Sequence, residues 1–307
     1  MQSMNMISIA MTTYNGAQYL KEQIDSILNQ TIQDFELIIC DDCSSDNTFE
    51  LLQEYASKDS RITAIRNDQN LGFKRNFEKV IGLCKGDYIA LSDQDDIWFP
   101  NHLEVLEKAI TGNVMLSCAR PVFVDENNKE LPAKYDYFKM DYVPSSDEGI
   151  ARHIFLGRSS FQGASMMIKK SFFDIALPIP DGANYHDSWF AGLACFVGGI
   201  AYVDVPVMRY RRFQQAVTSA YMKLSPARLF LGAILVNHSL PDRLAFIENI
   251  RKRVSSLSIM QLKLLDIFDK MLKRRNTIFG RIANVPYLVR HFKDIYCYDG
   301  KHLFSVL

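Results

Sequence analysis

The sequence has no overall excess of charge: 35 Lys and Arg balance 35 Asp and Glu. Charge can therefore mark a partner only through its distribution. No apolar run reaches the roughly 18 residues of a membrane span. Phe190–Val203 comes closest, but it holds three glycines and is bounded by Asp187 and Asp204. It reads as a buried helix followed by a strand. The opening Met-Gln-Ser-Met-Asn lacks the basic start of a signal peptide, which leads us to expect a cytoplasmic protein. There are six cysteines, mostly in apolar runs, which read as reduced buried thiols. Cys40-Asp-Asp-Cys43 has no second pair to build a zinc ribbon, and it does not open a helix as a thioredoxin-like site would. There is no internal repeat and no low-complexity tract.

What is present begins with alternation. Ile7–Met11, Phe35–Cys40, Ile62–Arg66 and Asp87–Ser92 read as strands. Between and after them, Gln18–Leu28, Asn47–Ser57, Phe73–Cys84 and about Pro100 to Ile110 read as helices. Such a βαβαβαβ series predicts a parallel, doubly wound sheet. The pattern then changes. Val114–Ala119, Pro121–Asp125, Ala164–Ile168 and Ala201–Val205 are expected as further strands, and the chain beyond Ser225 as helices broken by Pro226, Pro241 and Pro286.

Four acids carry most of the chemical signal: Asp87, then Asp93, Asp95 and Asp96 in Ser-Asp-Gln-Asp-Asp-Ile-Trp. The last three follow the apolar run of the fourth strand, so they sit at its carboxyl end, where open α/β sheets bind ligands. Asp-X-Asp puts two hard oxygen donors on one short loop, which suits Mg²⁺ or Mn²⁺. Such a cation takes its remaining ligands from substrate phosphates. The competing reading is a solvated acidic turn before a helix.

Several motifs occur together. They are Ile7-Ser-Ile-Ala-Met-Thr-Thr-Tyr-Asn-Gly16, Gln30-Thr31, Phe35-Glu-Leu-Ile-Ile-Cys-Asp-Asp-Cys-Ser-Ser-Asp46, Asn70-Leu-Gly-Phe-Lys-Arg-Asn76, Gly86–Trp98, Tyr185-His-Asp-Ser-Trp189 and Tyr210-Arg211. In this order, over about residues 5–220, the chain resembles the inverting GT-A glycosyltransferases of family 2. Ser92–Trp98 with His186-Asp187-Ser-Trp189 is most similar to the rhamnosyltransferase-like members that build surface polysaccharides. The resemblance implies an α/β GT-A fold with a doubly wound, mostly parallel nucleotide-binding sheet. It implies a catalytic domain over 1–224, with a nucleotide half at 1–112 and an acceptor half at 113–224, and leaves 225–307 as a helical extension.

It also implies roles. Thr12, Tyr14 and Asn15 would line the nucleotide pocket, and Asp42 would accept the imide N–H of uracil or thymine. Asp41 would hold the loop. Lys74 and Arg75, opening the third helix, would attract the donor's anionic part. Asp93 would contact ribose and metal, Asp95 the metal, and Asp96 the loop or sugar. Trp98 reads as packing. Asp187 would be the general base toward the acceptor hydroxyl, and His186 and Trp189 would shape the acceptor pocket. Without the resemblance, Asp187 reads as a helix cap. Members of the family often carry a His soon after Tyr-Arg; here that position is Phe213, and Arg211 and Arg212 would clamp the diphosphate instead.

The expected function is transfer of a sugar from a UDP- or dTDP-linked donor to a saccharide or lipid-linked acceptor. A sugar nucleotidyltransferase would need a Gly-rich basic loop near the first strand, which Thr12–Gly16 does not supply. A catalytically inactive nucleotide-sugar-binding module is the other alternative. Residues 225–307 carry 14 Lys/Arg against 6 Asp/Glu. With Leu262, Leu264, Leu265, Ile267, Phe268, Met271 and Leu272 on one helix, this segment is expected either to lie on an anionic membrane or to cap the catalytic domain. No nucleic-acid-binding motif accompanies the charge.

Overall fold

The computed structural model describes residues 6–131, 146–155, 161–183, 185–213 and 240–274. Three strands and their crossover helices open the fold: β1 (Ile7–Thr13), α1 (Ala17–Leu28), β2 (Phe35–Asp41), α2 (Thr48–Lys58), β3 (Ile62–Arg66) and α3 (Phe73–Leu83). There follow β4 (Tyr88–Ser92), the short β5 (Ile97–Trp98), α4 (His102–Ala109) and β6 (Leu116–Val124). The next elements are α5 (Asp147–Phe155), β7 (Met166–Lys169), the single-turn α6 (Phe173–Ala176), α7 (His186–Val197) and β8 (Ile200–Arg211). Two further helices, α8 (Leu240–Arg253) and α9 (Ile259–Arg274), complete the described chain.

The strands form one mixed sheet in the order β3-β2-β1-β4-β7-β6-β8-β5. β3, β2, β1 and β4 are parallel, as the alternation predicts. β7 then runs antiparallel to both β4 and β6, and β8 runs parallel to β6. β6 and β8 therefore point the same way as β4. The carboxyl ends of β1, β2, β4, β6 and β8 share one edge of the sheet. Helix α7, which leads back into β8, starts at that edge.

Both faces of the sheet are covered, and the strands alternate between them as period-two geometry requires. Ile7, Ile9 and Met11 pack on one side with Leu20, Ile24 and Ile27 of α1. Ala10, Ile38, Cys40, Ile89 and Leu91 pack on the other with Phe77, Val80 and Ile81 of α3.

Three expectations change. The two strands expected at 114–119 and 121–125 are one strand, β6, whose register against β8 is irregular around Ala119–Pro121. The strand expected at 201–205 runs on to Arg211, so it delivers Tyr210 and Arg211 to the ligand edge. The apolar stripe expected either to lie on a membrane or to cap the catalytic domain is internal. Leu264, Leu265, Ile267, Phe268, Met271 and Leu272 are buried in the same core as Trp189 and Phe190, and of the seven only Leu262 is exposed. Contact with α7 and α5 removes this face from water, which is the capping alternative. Pro241 lies in the first turn of α8, where a missing N–H breaks no helical bond. Among the described residues, no helix is long and apolar enough to cross a membrane. The five cysteines among the described residues are free; burial pushes the Cys40 thiol up to about 11, and Cys40 and Cys43 do not pair.

Candidate active site

The ligand edge is built from three loops at strand ends. After β1, the chain turns sharply at Asn15, whose φ of 49° lies in the left-handed region that Asn tolerates. Asn15 Oδ1 accepts the Ser45 N–H at 2.8 Å, and its own N–H donates to Ser44 Oγ at 2.9 Å. Thr12 lies on β1 opposite Cys40 and is half-buried, and Tyr14 is 50% exposed. The Asn15 side chain helps to hold the turn, which leaves the exposed Tyr14 ring to line a pocket.

After β2, the paired acids divide their work. Asp41 is buried and accepts from Thr13 Oγ1 at 3.0 Å, Ser44 N–H at 3.0 Å and Ser44 Oγ at 2.5 Å, so it holds the loop as expected. Asp42 is also buried. Its Oδ1 accepts from Asn67 Nδ2 at 2.8 Å and Leu71 N–H at 2.7 Å, and its Oδ2 from Gly72 N–H at 2.8 Å. The carboxylate ties β2 to the loop that leads into α3. A base N–H reaching Asp42 would share Oδ2 with Gly72.

The third loop carries the acids after β4. Asp96 is 1% exposed; its Oδ1 accepts the Arg211 N–H at 3.1 Å, and its Oδ2 has no partner among the described residues. Burial, then the charges of Asp95 and Asp93, push its carboxyl well above the usual range, and its bond to the Arg211 N–H supports the loop. Asp93 is pushed up to about 7 by burial, by Asp95 and by Asp187. Asp95 is pushed up to about 6 by burial, against the pull of Arg211. Among the described residues neither Asp93 nor Asp95 has an ion-pair partner within 4.0 Å. Two carboxylates held together against their own repulsion, with open oxygens, suit a hard divalent cation. No ready-made cluster of three or more His, Cys, Asp or Glu ligands occurs among the described residues. Two carboxylates plus substrate oxygens is thus the donor set the loop can offer.

Asp187 occupies the first turn of α7. The helix begins at His186, so Asp187 lies inside it rather than capping it. The helix N-terminus favours its charge, and the Ser188 N–H and hydroxyl and the Gly163 N–H donate to it. Burial outweighs these and pushes the carboxyl up to about 6. The acidic loop after β4 and the start of α7 lie at the same edge of the sheet, and the Asp187 charge adds to the upward push on the Asp93 carboxyl. Sequence separation of 94 residues hides this pairing; the chain closes it only through the sheet.

Other expected site residues have structural work. Arg211 is buried, not a free clamp. Its Nε donates to the Asp95 carbonyl at 2.9 Å, Nη1 to the Glu126 carbonyl at 2.8 Å, and Nη2 to Glu22 at 2.7 Å, while the guanidinium lies 4.4 Å from the Tyr19 ring centre. It is the anchor of the acidic loop. Arg212 stands over Phe123 and Tyr210 at 5.1 and 5.4 Å. Lys74 donates to the carbonyls of Asp181 and Ala183, and Arg75 pairs with Glu78 and Asp181. Both tie α3 to the 179–183 loop instead of waiting at a helix end. His186 packs against Phe77 at 4.2 Å, and burial pushes its imidazole down to about 4, leaving it neutral. Trp189 is fully buried and donates to the Ala176 carbonyl at 2.8 Å. Both rings are buried, so any part they have in the acceptor pocket is played from behind its surface. Trp98 is packing as expected, stacked on His102 at 3.8 Å. Phe213 lies 5.2 Å from Tyr19.

Sequence reasoning missed Gln94, which bonds to the Tyr14 backbone, and the Gly163 N–H. It also gave no role to Tyr210, whose hydroxyl sits in the field of Asp93, Asp96 and Asp95. A position within a motif signalled Gln94 and Tyr210; nothing in the sequence signalled Gly163.

Arg211 yields a stability prediction. Arg211→Met strips the Asp95 and Glu126 carbonyls of donors and leaves the acidic loop without its nearby positive charge. We expect a loss of about 3 kcal/mol by urea denaturation, the lower end for a broken buried pair because Glu22 is 55% exposed. Arg211→Lys keeps the charge without the fork and is expected to fall between. No change in either variant would refute the anchor.

A family model described as Glycosyl transferase family 2 matches residues 8–174. The chain belongs to glycosyl transferase family 2. Among its relatives, an uncharacterized glycosyltransferase of Methanocaldococcus jannaschii is 39% identical over 140 residues, covering 43% of this chain and 48% of that protein. The putative glycosyltransferase EpsH of Bacillus subtilis is 22% identical over 289 residues, covering 91% and 81%. The putative colanic acid biosynthesis glycosyl transferase WcaA of Escherichia coli K12 is 43% identical over 107 residues, covering 34% and 38%. The chain spans half or less of the length of the first curated relatives it matches. In fold, this family 2 chain is similar to TarS 1-349 of S. aureus, crystallised with UDP-GlcNAc (TM-score 0.60, 16% identity, 95% of this chain and 78% of that one). It is also similar to the mannosyltransferase PcManGT of Pyrobaculum calidifontis, in complex with GDP-Man and Mn²⁺ (TM-score 0.56, 13% identity, 93% and 88%). The GT-A architecture with helices after the sheet is therefore shared.

Proposed function

We propose that this chain transfers a sugar, with inversion, from a UDP- or dTDP-linked donor to a hydroxyl of a saccharide or lipid-linked acceptor. Rhamnose is the donor sugar we favour, and surface-polysaccharide synthesis on the cytoplasmic side is the setting. The observation that carries this reading is that Asp93 and Asp95 after β4 and Asp187 in the first turn of α7 share one edge of the sheet. It supports a base on one side of the space that the acidic loop closes on the other.

Asp187 would take the proton from the acceptor oxygen as that oxygen attacks the anomeric carbon. A carboxyl raised to about 6 is a better base than an exposed one and still ionised near neutrality. Attack from the side opposite the leaving diphosphate is one displacement, so the anomeric centre inverts. Asp93 and Asp95 would hold Mg²⁺ or Mn²⁺, which when bound neutralises charge on the leaving diphosphate. Thr12, Tyr14 and Asn15 would receive the nucleoside, with Asp42 shaping the base end through the 70–72 loop. The catalytic unit is 1–224 and the helical extension 225–307 in this reading. Relatives named for colanic acid and teichuronic acid biosynthesis support the polysaccharide setting.

Thermal-shift titration with UDP-, dTDP- and GDP-sugars, with and without Mn²⁺, tests the donor. Stabilisation by a UDP- or dTDP-sugar that needs the cation is expected. Stabilisation by GDP-sugars alone would overturn the donor assignment. Donor binding without turnover on any acceptor would favour the inactive binding module.

A further inference from the structure

Between the two candidate cation ligands lies Gln94. Its Oε1 accepts the Tyr14 N–H at 2.8 Å, and its Nε2 donates to the Tyr14 carbonyl at 3.0 Å. The β1–β4 ladder ends at Met11 and Ser92. Two residues past Ser92, the Gln94 amide offers one acceptor and one donor to a single backbone residue, as a neighbouring strand would. The side chain continues the pairing where the backbone ladder has stopped. Gly16 completes the arrangement. A Cβ there would lie 2.1 Å from Gln94 Oε1. Gly16 has φ −111°, which any residue adopts, so glycine is needed for the amide's room and not for its backbone.

We propose that Gln94 is a positioning residue: it clamps the acidic loop onto the β1–α1 turn and so sets the separation of Asp93 and Asp95 for a divalent cation. This rests on the reading that those carboxylates hold the cation. Released from Tyr14, the loop keeps its Arg211 anchor at the Asp95 carbonyl and the Ser92 hydroxyl on the Asp93 carbonyl, but loses its tie to the β1–α1 turn between the two acids. The two carboxylates can then relax apart and offer the cation a looser pair of oxygens. An amide is the suitable group. A carboxylate at this position would meet the Tyr14 carbonyl with no donor and add a third negative charge.

Mn²⁺ titration of the full chain by electron paramagnetic resonance, without nucleotide, tests the clamp. The wild type is expected to bind and Asp95→Asn not to. Gln94→Ala should weaken Mn²⁺ binding about tenfold, the scale of outer supports of a metal site. Its Tm should stay within about 4 °C of wild type. Gly16→Ala should weaken binding similarly, because the methyl displaces the amide. In the Gln94→Ala background, Gly16→Ala should add nothing, since nothing remains to displace. That non-additivity separates a clamp from a general folding defect. Equal affinity in wild type and Gln94→Ala, or additive losses in the double variant, would overturn the clamp and leave the cation reading standing. No Mn²⁺ binding by the wild type would overturn both.

Discussion

Replacing Asp187 by Asn is expected to cut kcat by roughly 10²–10⁴, the usual contribution of a positioned general base. Asn is nearly isosteric and can still accept the Ser188 and Gly163 N–H groups, so the start of α7 should hold. Donor affinity should change little, because the base faces the acceptor. The pH profile is the sharper readout. A base works only when ionised, so turnover should rise through about pH 6 and then level off. With Mn²⁺ in saturating excess, so that Asp93 and Asp95 stay ionised on the cation, the residual rate of Asp187→Asn should lose that limb. A variant with wild-type kcat, or one that keeps the limb unchanged, would remove Asp187 from the chemistry.

Asp95→Asn is expected to abolish cation-dependent turnover while stabilising the cation-free protein above neutral pH. Asp93 and Asp95 both ionise higher in the folded chain than the ordinary 3.8 of an unfolded Asp. Folding therefore gains from them in acid and loses that gain as pH rises toward 6 and 7. At pH 8 both are charged, half-buried and without an ion pair among the described residues. Removing one charge should raise stability by about 1–2 kcal/mol, or a few degrees in Tm, and this gain should vanish near pH 4. Mn²⁺ should raise the wild-type Tm more at pH 8 than at pH 5, because protons compete for the same oxygens. Losing several kcal/mol of charge stabilisation at the leaving group corresponds to at least about 10²-fold in turnover. Full wild-type activity in excess chelator would overturn the cation's role.

The fold's first half was legible because its signals are local. Apolar period-two strands and period-3.6 helices alternate through residue 110, and connection rules then leave a parallel sheet as the outcome. The second half was less so. β7 is four residues long and antiparallel, and its place between β4 and β6 depends on long-range pairing that no short window contains. Lys74, Arg75 and Arg211 carry structural contacts that their residue types did not announce, for a common reason. A cation's residue type says that it wants an anion or carbonyl, but not which one. Here the 179–183 loop and the backbone of the acidic loop meet that need first.

By itself the sequence determined the alternating α/β order, the position of the acids at the end of β4, and the likeness to a family. These follow from side-chain periodicity and from residue types in fixed short spacings. Only the tertiary structure decided that α9 turns its apolar stripe inward, that His186 and Trp189 are core while Asp187 beside them lies at the sheet edge that carries the acidic loop, and that Gln94 grips Tyr14. On one helical turn, adjacent residues point in different directions, and which direction is inside depends on what packs against the helix. That partner comes from distant segments of the chain, so burial and charge contact at this site are properties of the assembled sheet and not of any stretch of sequence.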